Sequence, residues 1–438
     1  MAAFEVLGAA RFAVAPAALP WLQALREAGR AEWLAAEWPT RRAEAWKYTG
    51  LEALRDQDYL QAASFTTESE PAAAALLPEL PGDRIVFVNG HYSAALSRIE
   101  AQPGVRIVRF AEADAAARAV IAEHAGAIAA DPANPFIALA TSWMQDGVLL
   151  QVQGGVRMRR PLCVMHIDLP GATPFAYAER MLVVLEPQAE AQLVEYHASG
   201  ASPQHSVCTG VTEIVLAASA RLHHMRLHLE QERAIPIGGI HVQLQANARY
   251  ENFLFGLGGR LKRIDLRLRH LGEGSECQLD GVYLAKHRQH IDFHTQIEHI
   301  APRATTRQVY RGIVDHAARA VFNGRMHIHP RAQKSSADLN NRNLLLSDEA
   351  EIDTKPELEI YADDVRCSHG ATVSQIAEQA LYYLRTRGID LQEARLLLGF
   401  GFINELVDGL PDPALAGALR EVVREWFDAN GGLKRHLA

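Results

Sequence analysis

Between residues 150 and 365, short strand-like runs recur along the chain at a nearly constant period. Apolar positions that match from run to run are 29, 28, 29 and 30 residues apart: Leu193, Leu222, Tyr250, Leu279 and Val309. Apolar and polar residues alternate within the runs, as they do in strands. A constant period predicts that each repeat forms one coil of a parallel β-helix, with matching residues about 4.8 Å apart on neighbouring coils. A β-sandwich also contains alternating strands, but it does not require equal spacing.

The regions on either side have a different character. The first 150 residues combine helical patterns, an Ala-, Glu- and Pro-rich tract at residues 61–81, strand-like runs at 84–90 and 105–110, and an alanine-rich helical pattern at 111–130. After Gly370 the apolar periodicity becomes helical. We therefore predict a mainly β protein in three parts: a mostly helical N-terminal domain (residues 1–150), a parallel β-helix core (151–371) and a helical C-terminal domain (372–438).

The C-terminal region contains two capping signals and one unusually apolar helix. Thr372-x-x-Gln375 fits a capping box at the start of one helix, and Asp390-x-x-Glu393 fits the start of the next. The second helix carries two apolar stripes, one of Ala394, Leu397, Leu398 and Gly401 and the other of Leu396, Phe400, Ile403 and Val407. A helix that is apolar on two sides needs cover on both. The following helix can cover one stripe, and either the chain's own core or a partner protein covers the other.

Composition and charge exclude several classes of protein. The 438 residues are 48% apolar and carry 44 Lys and Arg against 52 Asp and Glu, a formal charge of −8 without a long basic run. This balance is typical of a globular protein and argues against binding to nucleic-acid phosphates. No apolar run approaches the ~18 residues that span a membrane. The apolar segment at residues 12–22 is interrupted by Pro16 and Pro20 and makes a weak signal peptide, so a cytoplasmic protein is expected.

The cysteines form no recognisable metal-binding motif. Cys163, Cys208, Cys277 and Cys367 are 45, 69 and 90 residues apart, whereas zinc ribbons and iron–sulfur cradles use closely spaced cysteines. The sequence also lacks the phosphate-binding GxxxxGK[ST] loop, the GxSxG turn of serine hydrolases and the HExxH zinc motif. We therefore expect no cofactor that the isolated chain binds stably.

Histidines are the enriched chemical feature of the sequence. There are 19 in all, and four surround Asp292: His287, His290, His294 and His299. His327 and His329 are two residues apart, so they share a face if they lie on a strand. Two such imidazoles with a third ligand from a neighbouring coil make a workable metal site. One hypothesis is therefore a β-helix enzyme, either a metal-dependent hydrolase or a polysaccharide lyase. The alternative is that these histidines only hydrogen-bond to neighbouring turns.

A second chemical candidate, Cys367-Ser-His369, lies where the β region ends and the helices begin. In an extended segment the thiol and the imidazole project to the same face. A histidine can lower the pKa of a nearby thiol, and the pair has the chemistry to bind iron or accept sulfur. The alternative is a buried cysteine beside a histidine that hydrogen-bonds near the start of the following helix. Two residues of these types do not decide between the alternatives.

Three motifs resemble one known family. Residues 342–375, RNLLLSDEAEIDTKPELEIYADDVRCSHGATVSQ, closely resemble the signature stretch of the SufB/SufD family of iron–sulfur cluster assembly scaffolds. Residues 41–49, RRAEAWKYT, and 321–334, VFNGRMHIHPRAQK, are further matches. The resemblance implies a right-handed parallel β-helix flanked by helical domains, in agreement with the observed period.

The resemblance also implies roles for individual residues. SufB-like chains place a sulfur-accepting cysteine at the position of Ala350, and alanine cannot carry a persulfide. The chain therefore resembles the SufD branch of the family, which carries a Cys-Ser-His-Gly segment, here Cys367 to Gly370. The histidine of that segment is implied to complete a cluster-assembly site shared with SufB. His369 is thus the first candidate residue and Cys367 the second.

The same resemblance implies a non-enzymatic scaffold with two protein partners, a SufB-like paralogue and the ABC-type ATPase SufC. The C-terminal helices are implied to dock the ATPase, which gives the stripe from Leu396 to Val407 a partner. Iron or an iron–sulfur cluster would be held only transiently, at the interface with SufB. Self-association through the β-helix is expected when the paralogue is absent, and no nucleic-acid or membrane partner is expected.

Overall fold

The computed structural model describes residues 19–55, 57–62, 69–129, 133–200 and 204–427. Most of the weak signal-peptide segment, residues 12–18, lies outside these ranges, as do residues 63–68 of the Ala-, Glu- and Pro-rich tract. None of the described helices is long and apolar enough to cross a membrane.

Two large parallel sheets dominate the described chain. The strands are β1 Leu60–Gln61, β2 Asp83–Val88, β3 His91–Arg98, β4 Val105–Arg109, β5 Val148–Val152, β6 Leu162–Asp168, β7 Phe175–Leu185, β8 Glu190–Ser199, β9 Ser206–Leu216, β10 Arg221–Leu229, β11 Ala234–Leu244, β12 Arg249–Leu257, β13 Lys262–His270, β14 Glu276–Ala285, β15 His290–His299, β16 Thr305–Val314, β17 Arg319–Ile328, β18 Ser336–Leu345, β19 Glu351–Ile360 and β20 Arg366–Ser374. Odd-numbered strands from β5 to β19 form sheet A, and even-numbered strands from β6 to β20 form sheet B. The chain alternates between the sheets and advances one rung with each pair of strands. This confirms the predicted mainly β fold with a parallel β-helix, or β-solenoid, core.

The pairing register confirms the period but moves some of the predicted matches. Leu222 pairs with Tyr250, as the spacing predicts. Leu193 is two residues out of register with Leu222, which keeps both side chains on the inward face. Val309 faces outward, because its neighbour Gln308 occupies the buried inward position. These shifts arise because the turns differ in length, which changes the number of residues in each coil.

The turns before strands β8 to β18 of sheet B place one residue each in the left-handed region of the backbone map. Ser219 has a φ of 60° and Asn247 a φ of 56°. The backbone N–H of Ser219 donates to the carbonyl of Ala246 in the next turn (2.8 Å), and that of Asn247 donates to Glu273 (2.9 Å). Small polar residues tolerate this conformation better than β-branched ones. These turns therefore stack from rung to rung.

Helices flank the solenoid on its outer faces. They are α1 Gln23–Ala35, α2 Glu70–Ala74, α3 Ala115–His124, α4 Phe136–Trp143, α5 Glu378–Thr386, α6 Leu391–Val407 and α7 Pro413–Phe427, with short 3-10 helices at Pro20–Leu22, Glu44–Trp46, Glu52–Arg55 and Phe110–Glu112. Asp390 caps α6 by accepting hydrogen bonds from the backbone N–H groups of Gln392 and Glu393, so this predicted cap is confirmed. The capping box predicted at Thr372 is wrong, because β20 continues to Ser374 in register with β18.

The two ends of the solenoid are finished differently. At the N-terminal end, antiparallel strands β3 and β4 close the sheets beside β2 and β5. Helix α4 covers the outer face of sheet A there, with Phe136 and Leu139 in a shared apolar cluster with Val207 and Ile235. At the C-terminal end, β19 and β20 each have a strand partner on one side only within the described chain. This end therefore presents open strand edges.

Candidate functional site

The last rung of the solenoid carries the Cys-Ser-His segment. Strand β20 places Cys367 opposite Ala337 of β18 and His369 opposite Leu339. Ala337 and Leu339 are 1% exposed and belong to the solenoid core. Cys367 and His369 therefore extend the inward-facing column by one more rung. They are two residues apart on one strand, about 6.6 Å along it, and share one face, as the alternating pattern predicts.

Within the described chain, the end of this column is not covered. His369 is exposed, whereas Leu339 one rung below it is 1% exposed. Val373, on the same face of β20, is 42% exposed, and Ile360 on the facing strand β19 is 43% exposed. Apolar side chains around an accessible imidazole are typical of a surface that another protein covers.

The thiol and the imidazole of this pair differ in their readiness for chemistry. Cys367 is half-buried, and burial raises the pKa of its thiol above the ordinary value. The side chain is therefore a neutral thiol near neutral pH and not an activated thiolate. The imidazole of His369 is exposed, and an accessible imidazole is a suitable ligand for iron.

Ala350 lies beside the same rung, in the turn between β18 and β19. It is 9% exposed and contacts the solenoid core through its methyl group. A methyl group has no lone pair to offer sulfur or iron. Cys367 is therefore the sulfur donor that the described part of this rung provides.

The apolar stripe predicted to dock a partner faces the chain's own core. The stripe consists of Leu396, which is half-buried, and Phe400, Ile403 and Val407, which are buried. All four contact an apolar cluster formed with the outer face of sheet B and α7. These four side chains attach α6 to sheet B and α7 and do not project into solvent. Exposed aromatic side chains lie on α5 instead, where Tyr382 and Tyr383 are 71% and 58% exposed.

The histidines around Asp292 do not converge on one site. His287 lies exposed in a turn and stacks on His316 at a centroid separation of 5.0 Å. His294 faces outward and pairs through Nε2 with Asp292 at 2.8 Å. His299 is buried inside the solenoid, in register with Ile328. This dispersal does not favour the β-helix hydrolase or lyase.

A different group of histidines does come together. His327 and His329 have ring centroids 4.2 Å apart, but Nδ1 of His327 pairs with Glu359 at 3.1 Å. In the described chain, His197, His228 and Glu230 lie close together. Each offers one possible metal-ligand atom, and these three atoms are within 4.8 Å of one another. Sequence analysis missed this group. The sequence signal that could have revealed it is the equal spacing of His166, His197 and His228, each 31 residues from the next.

Two family models match the chain and together cover most of it. The SUF system FeS cluster assembly, SufBD core domain model matches residues 169–402, and the SufBD protein N-terminal region model matches residues 7–164. The chain therefore belongs to the SufBD family of iron–sulfur cluster assembly proteins. The family assignment made from the sequence motifs is confirmed.

Among individual relatives, the chain is similar to the iron–sulfur cluster assembly protein SufD of Escherichia coli, with 33% identity over 379 residues that span 86% of each chain. A SufBD family protein of Synechocystis is 31% identical over 393 residues, 88% of this chain and 86% of the relative. SufD of Bacillus subtilis is 26% identical over 300 residues, 65% of each chain. The function indicated by the family is iron–sulfur cluster assembly.

Proposed function

We propose that this chain is the SufD-type scaffold subunit of a cytoplasmic cluster assembly complex, with a SufB-like chain and a SufC-type ATPase as partners. In this role it catalyses no reaction and provides one side of a shared surface on which iron and sulfur are brought together. The nascent iron–sulfur cluster is cargo that is held transiently and passed on. The observation that carries the proposal is the open C-terminal rung, with His369 on its uncovered face.

Strands β19 and β20 are the proposed pairing surface for the SufB-like chain. They are 10 and 9 residues long, and each has one edge without a strand partner in the described chain. Long open edges recruit another strand through backbone hydrogen bonds. A paralogue of the same architecture ends in an equivalent rung, so the two solenoid ends can join. A second copy of this chain offers the same edges, which is the basis for self-association without the paralogue.

The two edges differ in how well they can pair. Pro356 lies in the middle of β19 and has no N–H group to donate. Strand β20 contains no proline between Arg366 and Ser374. The better pairing edge is therefore the one that carries His369.

His369 is proposed to be an iron ligand at the closed interface. Its imidazole is exposed on the face that the partner would cover, and joining the two ends would exclude water from it. Cys367 is assigned a secondary role, because its neutral thiol must lose a proton before the sulfur can bind a metal ion.

The three C-terminal helices are the proposed docking site for the ATPase. Helices α6 and α7 bury their apolar stripes on sheet B and form a rigid base. A cleft of about 560 Å³ lies between α5, α6 and the end of β18, and its lining includes Leu381, Tyr382 and Leu391. Exposed tyrosines beside a cleft are typical of protein interfaces. The docking surface would thus be the outer side of α5 and α6, and the stripe of Leu396, Phe400, Ile403 and Val407 would hold that surface in place.

Co-expression with the SufB-like and SufC-type chains tests the proposal. The three chains are expected to co-purify as one complex. The His369→Ala variant is expected to assemble the complex normally, because the side chain is exposed. It should form at least tenfold less cluster, measured by visible absorbance after reconstitution with iron and sulfide.

His316→Ala is the matched control, since His316 is also exposed but lies one rung below, in the turn between β16 and β17. It is expected to form as much cluster as the wild type. Failure of the three chains to associate would contradict the proposed complex. Wild-type cluster formation by His369→Ala would contradict the role of His369.

A further inference from the structure

The interior of the solenoid contains a ladder of histidines in its N-terminal half. His166, His197 and His228 occupy matching inward-facing positions on β6, β8 and β10. Their rings stack, with centroid separations of 5.0 Å and 4.4 Å. All three are buried. Buried polar groups cost free energy unless they are paired, so the ladder requires partners inside the solenoid.

Two glutamates flank the ladder. Glu179 reaches it from sheet A, and its Oε1 lies 3.0 Å from Nδ1 of His166 and 3.5 Å from Nδ1 of His197. Glu230 follows β10 and accepts a hydrogen bond at Oε1 from Nδ1 of His228 at 2.8 Å. The interior thus combines imidazole nitrogens with carboxylate oxygens, a ligand set that zinc and ferrous iron accept.

Three of these side chains lie close enough to share one ion. One ligand atom each from His197, His228 and Glu230 lies within 4.8 Å of the other two. The Nε2 atom of His197 has no hydrogen-bond partner, although the residue is only 3% exposed. A buried polar atom without a partner costs about 1–3 kcal/mol. A ligand bound among these residues would offset that cost.

The charges around the cluster favour a cation. Buried glutamates and buried cations contribute three negative and two positive charges: Glu179, Glu195, Glu230, Arg226 and Lys262. The buried carboxylates therefore outnumber the buried cations around the cluster. Lys262 Nζ binds Oε2 of Glu230 at 2.7 Å and leaves Oε1 directed at the histidines.

We propose that His197, His228 and Glu230 bind a divalent first-row transition metal ion, of the class of zinc and ferrous iron, inside the solenoid. Bonds of 2.0–2.2 Å bring ligand atoms to about 3.3 Å from one another, so the cluster contracts around the ion. The rings of His197 and His228 are stacked at an angle of 13°, and each must rotate to direct a nitrogen at the ion. Magnesium and calcium do not suit the site, because they prefer oxygen ligands.

The hydrogen bonds of His228 specify which nitrogen binds the ion. Arg226 donates from Nε to Nε2 of His228 at 3.0 Å, so the ring proton is on Nδ1. When the ion binds at Nδ1, that proton moves to Nε2, so the ring stays neutral and offers the ion a lone pair. Arg226 then gives up its hydrogen bond to Nε2 and keeps its ion pair with Glu195 at 3.5 Å. Lys262 continues to orient Glu230, as outer-shell partners do in metal sites.

This interior site is separate from the open rung. Strand β10, which carries His228, and strand β20, which carries His369, are five strand spacings apart in sheet B, or about 24 Å. The interior ion is therefore not the cargo cluster. It would be a resident ion that links β8 to β10 and stabilises the N-terminal half of the solenoid.

Metal titration of the full-length protein tests the proposal. Chelator-treated protein is refolded with cobalt(II), because an ion can enter the buried cluster while the chain folds. We expect one cobalt ion per chain and a higher melting temperature than in the metal-free protein. His197→Gln and Glu230→Gln should each weaken cobalt affinity at least tenfold.

Two variants serve as matched controls. His241 is buried on the outward face of β11 and also has an unpartnered Nε2, so His241→Gln controls for the loss of a buried imidazole. His327→Gln controls for binding at the half-buried His327/His329 pair. Both controls are expected to bind cobalt with wild-type affinity.

The proposal would be overturned by wild-type protein that binds neither cobalt nor zinc, or by wild-type affinity in folded His197→Gln. Circular dichroism establishes whether each variant folds. If the cluster variants do not fold, X-ray absorption spectroscopy of the cobalt-loaded wild type decides the matter. Two imidazoles and oxygen donors are expected, and a shell that contains sulfur or a single imidazole would contradict the site.

Discussion

At the scale of single residues, a buried carboxylate joins the N-terminal segment to the solenoid. Asp292 accepts a hydrogen bond from Thr49 at 2.5 Å and pairs with Arg263 at 3.1 Å. Burial alone would raise the pKa of the Asp292 carboxyl, but His294 and Arg263 hold it well below its usual range. Its contribution to stability is therefore present above about pH 4 and is lost as the pH falls below that value.

Asp292→Asn is expected to lower the free energy of unfolding by about 3 kcal/mol, because it removes one partner from a buried ion pair. Urea unfolding at neutral pH measures the loss. The control is Glu273→Gln, in the exposed pair with Arg303, which should cost less than about 1 kcal/mol. Equal losses in the two variants would show that the Asp292 contacts do not anchor the segment.

A pair of interior histidines predicts how stability depends on pH. Nε2 of His270 and Nε2 of His299 lie 2.9 Å and 3.0 Å from the hydroxyl of Thr306. Burial lowers the pKa of His299 to about 4 and that of His270 well below its ordinary value. The unfolded chain takes up these protons below about pH 6.5. The free energy of unfolding should therefore fall as the pH drops from about 6.5 to about 4.

His299→Gln should flatten this decline by up to ~1.4 kcal/mol per pH unit. The glutamine amide can still hydrogen-bond to Thr306, so folding should be retained. Urea midpoints measured across this pH range provide the comparison. His316→Gln, at an exposed position, should keep the wild-type slope. A wild-type slope in His299→Gln would contradict burial of a neutral imidazole.

At the scale of elements, α6 distinguishes a supporting role from a binding role. Phe400 is 6% exposed against sheet B and α7, whereas Tyr382 on α5 is 71% exposed. Phe400→Ala should lower the free energy of unfolding by about 3–5 kcal/mol, because it opens a cavity.

Tyr382→Ala should change the free energy of unfolding by less than about 0.5 kcal/mol and weaken ATPase binding at least tenfold. Thermal unfolding and ATPase titration separate the two effects, and wild-type stability in Phe400→Ala would contradict the packing of α6.

The elements also show what the sequence could predict and where local patterns failed. The period predicted the coils, because stacked rungs must contain similar numbers of residues. It placed Val309 on the wrong face, since turn lengths vary and a shift of one residue reverses a strand's faces. The capping box at Thr372 failed because pairing of β20 with β18 outweighs a local helix signal.

The candidate site was predictable in part. Alternation along an extended segment places Cys367 and His369 on one face, and the structure has that arrangement. Their exposure depends on β20 being the last rung, which no local pattern specifies. The interior group around His197 and His228 depends on register between coils, so only its 31-residue spacing was visible in the sequence.

At the scale of the whole molecule, the part of the solenoid that the structure describes is closed at one end and open at the other. Val373 lies on the open end and is 42% exposed. Val373→Lys should abolish association with the SufB-like chain, because it places a charge in the apolar rim. Stability should change by less than about 0.5 kcal/mol. Size-exclusion chromatography of the mixed chains measures the association.

Leu34→Lys is the matched control, because Leu34 is an equally apolar residue on α1 with 56% exposure. It should leave the association unchanged. If Leu34→Lys disrupts the complex and Val373→Lys does not, the partner binds the N-terminal helices and not the open rung.

Site-specific photo-crosslinking tests the central claim most directly. A photoreactive amino acid is placed at position 373 in one sample and at position 34 in another, and each chain is irradiated in complex with the proposed SufB-like partner. Crosslinks from position 373 should map to the terminal strands of the partner's solenoid, and position 34 should give none. Crosslinks from position 34 with none from position 373 would contradict an assembly site at the open end of the solenoid.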